Sequence, residues 1–343
     1  AFTRIAEYDI AIAEKLGSVD TKFVTLKSGE TLRYGENPQQ PAQVFEWQNA
    51  QGPTLKSAQV LQGKELSYNN MLDADAAWKA ASDASHLFEN QGCVAVVVKH
   101  GNPCGYVHAH DTLTALERAW AGDSVSSFGG IVALTQAVDE KVAGFFQDKF
   151  LEIILAPHFT AEAQRLLSSK KNVRLMQLPL LPLKKNEQVL RSFNGGVLWQ
   201  MEDESLQTEL KAVTTKKFTL ADHTTALFGV LAAKHLKSNA IALVTSDGAI
   251  TELVGAGMGQ PNRLDSLLRL ALPRAEEKDF MIEDVIMVSD AFFPFPDTVE
   301  EAAKAGITKI VQPGGSIKDS EVFAAADRLG IAMVTTGERH FRH

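Results

Sequence analysis

Six short apolar runs, separated by segments with helical spacing, constrain the fold of this chain most strongly. The runs are continuously apolar rather than alternating, which is typical of strands covered by helices on both faces. Residues 111–121 begin with a capping aspartate and carry apolar side chains at helical spacing, and residues 319–329 repeat this arrangement. We therefore predict an α/β protein. The predicted strands are residues 94–98, 131–134, 153–156, 241–244, 285–288 and 309–311.

The length of the chain predicts two packed subdomains, because 343 residues exceed what one hydrophobic core usually organises. Residues 175–185 contain two prolines and two lysines and precede a polar start to another strand, which puts a boundary near residues 185–210. The first 17 residues have helical spacing without a start signal, and we interpret them as part of a longer polypeptide.

Charge and cysteine content exclude several classes of function. The formal net charge of -8 argues against general nucleic-acid binding, and an anionic ligand would need a local positive pocket. Cys93 and Cys104 are too few for a disulfide framework or a thiolate metal site, which favours a reducing compartment. No apolar run approaches the roughly 20 residues that cross a bilayer, and no signal segment begins the chain. We predict a cytoplasmic protein.

The pair Lys99 and His100 is the strongest chemical feature, because it ends a buried strand in the segment CVAVVVKHGNPCG. Ligands of open α/β sheets bind outside the carboxyl ends of strands. Neighbouring strand residues point to opposite faces, so the two side chains can act together only if the backbone bends, which Gly101 and Pro103 allow in a Gly-Asn-Pro turn. Histidine suits proton transfer and a partly desolvated lysine suits charge stabilisation. Spacing equally allows two solvated polar residues at a strand end.

Two further segments of the first half could contact a ligand. Arg33 and Tyr34 precede a turn with glycine and proline and could bind a phosphate, although a surface turn explains them as well. Ser126, Ser127 and Phe128 precede two glycines and a buried strand, where the backbone could approach a ligand. The alternative is a tight turn with a core phenylalanine.

Glycine-rich and aromatic segments mark the second half. The segment VGAGMGQPNRL, residues 254–264, does not follow the pattern G-x-G-x-x-G, so we reject a dinucleotide site there. The Gly-Gly-Ser of residues 314–316 precedes a predicted helix and could bind an anion or form an ordinary turn. Three phenylalanines close together indicate an aromatic wall beside a pocket, with at least one ring in the core. They are Phe292, Phe293 and Phe295.

The chain ends in the charged segment RHFRH. A charged chain end is usually solvated, so its residue types predict a solvated terminus. Its histidines do not have the spacing of zinc ligands.

Taken in order, the motifs of this chain resemble the AICAR transformylase family, the C-terminal part of bacterial bifunctional purine biosynthesis proteins. They are RYGENPQQ, KELSYNNMLDADAAW, VVVKHGNPCG, VSSFGGIVAL, KSNAIALV, GAGMGQPNRLDS, SDAFFPFPD, QPGGSIKD and RHFRH, and they span nearly the whole chain. The resemblance implies a homodimer of two cytidine-deaminase-like α/β/α subdomains without zinc, at residues 21–200 and 201–343. Residues 1–20 resemble the linker after the family's cyclohydrolase domain, and nothing here resembles that domain.

The resemblance implies transfer of a formyl group from the cosubstrate 10-formyltetrahydrofolate to the 5-amino group of aminoimidazole carboxamide ribonucleotide (AICAR). It assigns His100 as general base, and Lys99 as stabiliser of the oxyanion or proton donor to the leaving folate nitrogen. The implied AICAR contacts are Arg33, Tyr34, Gly129, Glu152, Asn239, Arg263 and Arg339. The implied folate contacts are Leu264, Phe292, Asp297, Ser316 and Ile317, with Ser126, Ser127, Phe128 and His343 near the site.

Two residues depart from the family pattern. Glu152 stands where some members have aspartate, and Pro296 stands where relatives often have arginine, which removes a charge and a backbone donor from the folate side. No catalytic metal is implied, and a structural monovalent cation is left open.

Two other functions compete with formyl transfer. One is a purine-nucleotide-sensing module without chemistry. The other is zinc-dependent deamination on the same fold, which is disfavoured because no His or Cys set has ligand spacing. Neither a nucleic acid nor a membrane is expected as a partner.

Overall fold

The structure, a computed structural model, describes residues 2–17, 21–48, 50, 52–182, 187–206, 209–278 and 280–343. Strands and helices alternate along these ranges and form a mixed α/β fold, which confirms the predicted fold class. The strands are β1 (Leu26–Leu32), β2 (Ala42–Trp47), β3 (Gln59–Gln62), β4 (Cys93–Lys99), β5 (Asn102–Ala109), β6 (Ile131–Leu134), β7 (Ile153–Ala156), β8 (Arg174–Gln177), β9 (Gln188–Phe193), β10 (Gly196–Met201), β11 (Lys211–Ala212), β12 (Ile241–Ser246), β13 (Thr251–Gly257), β14 (Ile286–Ser289), β15 (Lys309–Gln312) and β16 (Ala332–Thr335). The helices are α1 (Phe2–Leu16), α2 (Tyr68–Leu87), α3 (Thr112–Ala121), α4 (Ser124–Ser127), α5 (Glu140–Phe145), α6 (Ala161–Leu167), α7 (Leu220–His235), α8 (Arg263–Asp265), α9 (Leu272–Glu276), α10 (Asp297–Lys304) and α11 (Asp319–Arg328), with a π-helical stretch at Ser266–Ala271 between α8 and α9.

Twelve of the described strands form one mixed sheet. Their order is β11-β16-β15-β14-β12-β13-β5-β4-β6-β7-β8-β3. Strands β6, β7 and β8 are parallel, as are β14, β15 and β16, whereas the other neighbours are antiparallel. The pairs β1–β2 and β9–β10 form two separate antiparallel hairpins.

The order of elements repeats within this sheet. From β3 the chain runs through α2, the hairpin β4–β5 and three further strands separated by helices; from β11 it does so again through α7 and the hairpin β12–β13. The spatial order β5-β4-β6-β7-β8-β3 matches β13-β12-β14-β15-β16-β11, and the copies meet where β5 pairs antiparallel with β13. The two halves are therefore related by an approximate two-fold rotation and share one sheet.

The apolar strands are buried on both faces, as their continuous apolar runs predict. In β4, Val94, Val96 and Val98 pack on one face, whereas Ala95 and Val97 pack on the other. Helix α2 covers the first face in the first half of the sheet, and α7 covers the same face in the second half. Helices α3, α5 and α6 cover the opposite face of the first half, and α9, α10 and α11 that of the second.

The six predicted strands are present as β4, β6, β7, β12, β14 and β15, with ends within two residues of those predicted. The sequence patterns do not predict β5 and β13. The predicted Gly-Asn-Pro turn is wrong, because Asn102 and Pro103 already belong to β5 and the chain reverses one step earlier. Pro103 is tolerated because the register of β4 and β5 shifts beside it.

Strand β13 contains Gly255 and Gly257 of the glycine-rich segment. A Cβ at Gly255 would lie 2.2 Å from the carbonyl oxygen of Ala271, and one at Gly257 would lie 2.0 Å from that of Ser266. The glycines thus allow the helical segment after β13 to pack directly on the strand. They serve close backbone packing and not a phosphate loop.

Both helices predicted from capping signals are present, but their starts differ. Asp111 caps α3 as predicted, since its carboxylate accepts a hydrogen bond from the N–H of Thr114 at 2.9 Å. The capping aspartate predicted for α11 is wrong: Lys318 occupies the cap position, and the Asp319 carboxylate accepts a hydrogen bond from the N–H of Gly315 at 2.7 Å.

The predicted N-terminal helix is present as α1, which buries none of its residues. Residues 18–20 of the predicted linker, and residues 183–186 and 207–208 around the predicted boundary, lie outside the described residues; between the last two gaps the chain forms the hairpin β9–β10. None of the helices within the described ranges has both the length and the hydropathy that spanning a bilayer requires.

Candidate active site

Strand directions bring most of the predicted site residues to one rim of the twelve-stranded sheet. This rim, termed the site rim, comprises the end of β4, the starts of β6, β7, β8 and β12, and the ends of β13, β14, β15 and β16. The first half therefore contributes the amino ends of its parallel strands, and the second half contributes the carboxyl ends. Among the parallel strands, carboxyl ends therefore lie on this rim in the second half only, whereas the first half adds the carboxyl end of the antiparallel strand β4.

Lys99 and His100 lie at the tip of the hairpin β4–β5. His100 and Gly101 have φ angles of 53° and 73°, and Lys99 pairs with Asn102. Positive φ at both central residues is typical of a type I′ turn, which matches the twist of the two strands. The left-handed conformation costs a histidine roughly 1–2 kcal/mol. The backbone thus bends at the Lys-His pair, as the proposed cooperation of the two side chains requires.

Hydrogen bonds connect this turn to two neighbouring segments. The carboxylate of Asp73, on α2, accepts hydrogen bonds from the N–H of Gly101 at 2.7 Å and from that of His100 at 3.3 Å. The side chain of Asn102 donates to the carbonyl of His100 at 3.0 Å and accepts from the N–H of Lys237 at 2.9 Å. The turn is thereby joined to α2 and to the segment that follows α7.

The Lys99 side chain is directed to the glycine-containing segment before β6. Its Nζ donates a hydrogen bond to the carbonyl of Phe128 at 2.5 Å and lies 3.9 Å from the place of a Cβ on Gly129. Gly129 has a φ of 74°, which favours glycine. The rings of Phe128 and Phe150 lie 4.9 Å apart and are both exposed, so the alternative of a core phenylalanine at position 128 is wrong.

The two predicted near-site serines take part in local structure. The hydroxyl of Ser126 donates to the carboxylate of Asp123 at 2.7 Å, and that of the buried Ser127 donates to the carbonyl of Trp120 at 3.0 Å. Beside them, burial raises the pKa of the Cys104 thiol to about 11. This thiol stays protonated at neutral pH and is a poor nucleophile.

Glu152, which precedes β7 on the site rim, is paired with the buried Arg174 of β8. The guanidinium donates to the Glu152 carboxylate at 2.5 Å. It also donates to the carbonyls of Lys64 and Glu65 at 3.0 and 2.8 Å. Arginine's planar fork thus binds three acceptors and fixes Glu152 at the rim. No sequence pattern singles out Arg174.

In the second half, Arg263 is held beside Asp290. Its guanidinium donates to the hydroxyl of Ser289 and to the buried Asp290 carboxylate, both at 3.0 Å. The ring of Phe341 lies 5.5 Å from the guanidinium of Arg263 and 4.6 Å from that of Arg339. Two of the three arginines predicted to bind AICAR therefore lie near one aromatic ring.

The charged C-terminal segment packs against the start of β12. The N–H of Arg342 donates to the hydroxyl of Ser238 at 3.0 Å, and this hydroxyl donates to the Asp290 carboxylate at 2.5 Å. The buried His340 ring lies 2.7 Å from the carboxylate of Asp203. Burial would raise the pKa of Asp203, but the hydrogen bond and charge of His340 lower it. The predicted solvated terminus is correct only in part: Arg339, Phe341 and His343 are exposed, whereas these polar partners bind His340 and Arg342 to the fold.

Asn239 and His343 also lie in this region. The side-chain amide of Asn239 donates to the carbonyl of Gln260 at 2.9 Å, and the backbone carbonyl of Asn239 accepts from the hydroxyl of Ser266 at 2.7 Å. The carbonyl of His343 accepts a hydrogen bond from Arg191, on β9, at 3.0 Å.

The predicted folate contacts form the open part of the rim. Leu264, Phe292 and Ser316 are half-buried, whereas Asp297 and Ile317 are exposed. Of the three clustered phenylalanines, Phe293 is a core residue, as expected for at least one of them, and Phe295 is exposed. Of the three rings, Phe292 is thus the one that is half-buried.

The predicted anion site at residues 314–316 is occupied in part by the protein itself. The Gly315 N–H donates to Asp319, so an anion bound there would lie beside a carboxylate. Like charges in contact repel, and this geometry favours the ordinary turn over the anion site.

Arg33 and Tyr34 lie outside the large sheet, directly after β1. Their side chains share a hydrogen bond, and the guanidinium lies 4.5 Å from the tyrosine ring centre. The side chain of Asn69 on α2 donates to the carbonyl of Glu36 at 3.1 Å and so attaches this loop to α2, one turn before Asp73. Within the described ranges, no group of three or more His, Cys, Asp or Glu residues could hold a metal ion.

The fold and the site define a mixed α/β protein whose candidate site lies along one rim of a sheet built by both halves. The profile of the family described as "AICARFT/IMPCHase bienzyme" matches residues 1–274, and the chain belongs to this family. The resemblance found in the sequence is therefore confirmed.

The chain is similar to proteins named "Bifunctional purine biosynthesis protein PurH". It is 44% identical to that of Halalkalibacterium halodurans over 350 residues, 43% to that of Listeria monocytogenes over 350 residues and 42% to that of Persephonella marina over 354 residues. Each alignment covers 100% of this chain and 66% of the relative, so the chain spans about two thirds of the length of these proteins.

Proposed function

We propose that this chain transfers the formyl group of 10-formyltetrahydrofolate to the 5-amino group of AICAR, as a step of purine biosynthesis. The observation that carries the proposal is the Lys99–His100 pair at a hydrogen-bonded hairpin tip on the site rim. The family's description and the name shared by the relatives support the same activity.

The chemistry needs a base and a group that stabilises negative charge. The 5-amino group is a poor nucleophile, because its lone pair is delocalised into the imidazole and the carboxamide. As the nitrogen bonds to the formyl carbon, it loses a proton to His100. The tetrahedral intermediate then breaks its bond to the folate nitrogen, which takes up a proton. Lys99 stabilises the oxyanion or supplies that proton.

Binding of the two substrates is assigned to different groups. For AICAR we propose side-chain and backbone groups of the site rim and of the C-terminal segment, together with Arg33 and Tyr34 in the loop after β1. The rim and C-terminal groups are Gly129, Glu152, Asn239, Arg263 and Arg339. For the folate we propose the open surface around Phe292, with Leu264, Asp297, Ser316 and Ile317. Pro296 lends neither charge nor an N–H donor, so apolar contact carries more of the folate binding.

We also propose that the two halves are cytidine-deaminase-like subdomains without zinc, at residues 21–200 and 201–343, and that the chain forms a homodimer. The repeated order of elements supports the subdomains. The exposed apolar side chains of β9–β10 support the dimer, since an apolar patch of this kind usually marks an interface. They are Phe193, Val197, Leu198, Trp199 and Met201.

A formyl-transfer assay with AICAR and 10-formyltetrahydrofolate tests the activity. We expect turnover by the unaltered chain, and a kcat about 100- to 10,000-fold lower in His100→Ala, because general base catalysis is lost. The matched control is His110→Ala, which removes an exposed histidine beyond the far end of β5 and is expected to keep turnover. Binding of AICAR without turnover would show that the protein binds the nucleotide but does not catalyse formyl transfer. Near-normal turnover by His100→Ala would refute the assignment of His100 as the base.

A further inference from the structure

We infer that Asp73 is a positioning residue that holds His100 in the backbone conformation its proposed catalytic role requires. The catalytic consequence of this positioning rests on the proposed function. The two hydrogen bonds between Asp73 and the turn do not depend on it. Asp73 lies on α2, 27 residues before His100, and contacts the turn through both carboxylate oxygens.

Two amide groups at the hairpin tip donate to the Asp73 carboxylate. The N–H groups of His100 and Gly101 lie between the paired residues Lys99 and Asn102, which close the hairpin. Asp73 Oδ1 accepts from Gly101 at 2.7 Å, and Oδ2 accepts from His100 at 3.3 Å. A carboxylate that accepts two neighbouring N–H groups fixes their relative orientation, and hydrogen bonds to an ionised acceptor are stronger than neutral ones.

These hydrogen bonds maintain an unusual backbone conformation at His100. His100 has a φ of 53°, in the left-handed region that disfavours side chains other than glycine. In an extended conformation, His100 would follow the alternation of the strand and point to the face opposite Lys99. The Asp73 carboxylate therefore offsets the conformational preference that would separate the two proposed catalytic side chains.

Asp73 belongs to a helix that is packed against the core. Asp73 is half-buried, while Ala74, Ala76, Ala77 and Trp78 beside it on α2 are buried in the core. The carboxylate is consequently positioned by a packed helix and not by a mobile loop. Positioning groups of this kind matter because a displacement of about 1 Å can reduce a rate by roughly a hundredfold.

The test combines kinetics with amide exchange in the unaltered chain and three variants. Asp73→Ala removes both acceptors, and we expect kcat to fall about 10- to 100-fold with KM for AICAR changed less than about threefold. Asp73→Asn keeps one acceptor oxygen and is expected to lose less. The matched control, Asp75→Ala, removes a carboxylate of the same helix that pairs with Lys79, and is expected to keep kcat. In Asp73→Ala the amide hydrogens of His100 and Gly101 should exchange at least about tenfold faster, while those of α2 keep their protection.

A double variant separates positioning from general stability. If Asp73 acts through His100, then Asp73→Ala combined with His100→Ala is no slower than His100→Ala. Additive losses, or a loss of kcat without faster exchange at the turn, would overturn the inference. Unchanged turnover in His100→Ala would refute the base assignment instead, and the exchange experiment would still decide whether Asp73 holds the turn. Asp73→Asn serves this comparison if Asp73→Ala does not fold.

Discussion

Several charged side chains of the site rim bind other protein groups and thereby position the residues proposed to contact substrate. Asp73 holds the turn of His100, and Arg174 holds Glu152. The sequence could indicate Lys99 and His100, because the end of a strand and the turn after it are local patterns. It could not indicate Asp73 or Arg174. Their partners, Gly101 and Glu152, lie 28 and 22 residues away along the chain and contact them only in the folded structure.

The contacts of Arg174 lead to a prediction for stability and binding. Arg174→Met leaves the acceptors of Glu152, Lys64 and Glu65 without their donor, and we expect the free energy of unfolding to fall by about 2–3 kcal/mol. We also expect a higher KM for AICAR, since Glu152 loses its support. Urea unfolding measures the loss of stability, and steady-state kinetics measure the KM.

Arg165→Met is the control, because the ion pair of Arg165 with Glu140 at 3.9 Å is exposed and should contribute little. Equal losses of stability in both variants would contradict the role of Arg174.

At the scale of elements, sequence patterns miss two strands. They are β13, whose glycines allow close packing, and β5, whose proline lies beside a register shift. Strand β13 contains glycines where the following helical segment touches the strand, and β5 begins with Asn102 and Pro103 after a two-residue turn. Glycine and proline normally end strands, so a single sequence predicts loops at both places. The continuously apolar strands were predictable, because burial on both faces leaves a direct pattern in the sequence.

The close approach at β13 can be tested with one methyl group. In Gly257→Ala the new Cβ would lie 2.0 Å from the carbonyl oxygen of Ser266, so the strand and the helical segment must separate. We expect a loss of about 1–3 kcal/mol in the free energy of unfolding. Gly144→Ala on α5 is the control: nothing lies within 4 Å of its Cβ, and alanine favours a helix, so stability should stay equal or rise. Equal denaturation midpoints for Gly257→Ala and the unaltered chain would contradict the packing argument.

At the scale of the whole molecule, a buried ionic cluster joins the helices that cover the two halves. Asp83 of α2 accepts hydrogen bonds from Lys234 and His235 of α7, each at 3.0 Å. Burial would raise the pKa of Asp83, but the hydrogen bond from His235 and the charge and hydrogen bond of Lys234 lower it well below its usual range. Burial also lowers the pKa of His235, although Asp83 opposes this.

This cluster predicts how stability depends on pH. A carboxylate with a lowered pKa in the folded state contributes stability above its ordinary pKa of about 3.9, and the contribution is lost as pH falls below that value. We expect the free energy of unfolding to decrease between about pH 4 and pH 2. Asp83→Asn should lose about 3 kcal/mol at pH 7, since the Lys234 charge stays buried without a counter-charge, and its acid limb should be flatter.

Urea unfolding across this pH range measures the effect. Asp148→Asn is the control, because Asp148 is exposed and pairs with its neighbour Lys149 at the surface. An acid limb of Asp83→Asn as steep as that of the unaltered chain would show that other groups cause the pH dependence.

The two-fold repeat of the sheet places chemically different residues at structurally equivalent positions. Two copies of one unit, joined through β5 and β13 in opposite directions, present two equivalent hairpin tips on opposite rims. The tip of the first copy carries Lys-His, whereas the tip of the second, residues 247–250, reads Asp-Gly-Ala-Ile. With the proposed function, one copy supplies the reactive pair and the other supplies Arg263 and Arg339 around it. The two-fold symmetry of the strands therefore does not extend to their side chains: under the proposed function the chemistry belongs to a single rim, and the opposite tip has no part in it.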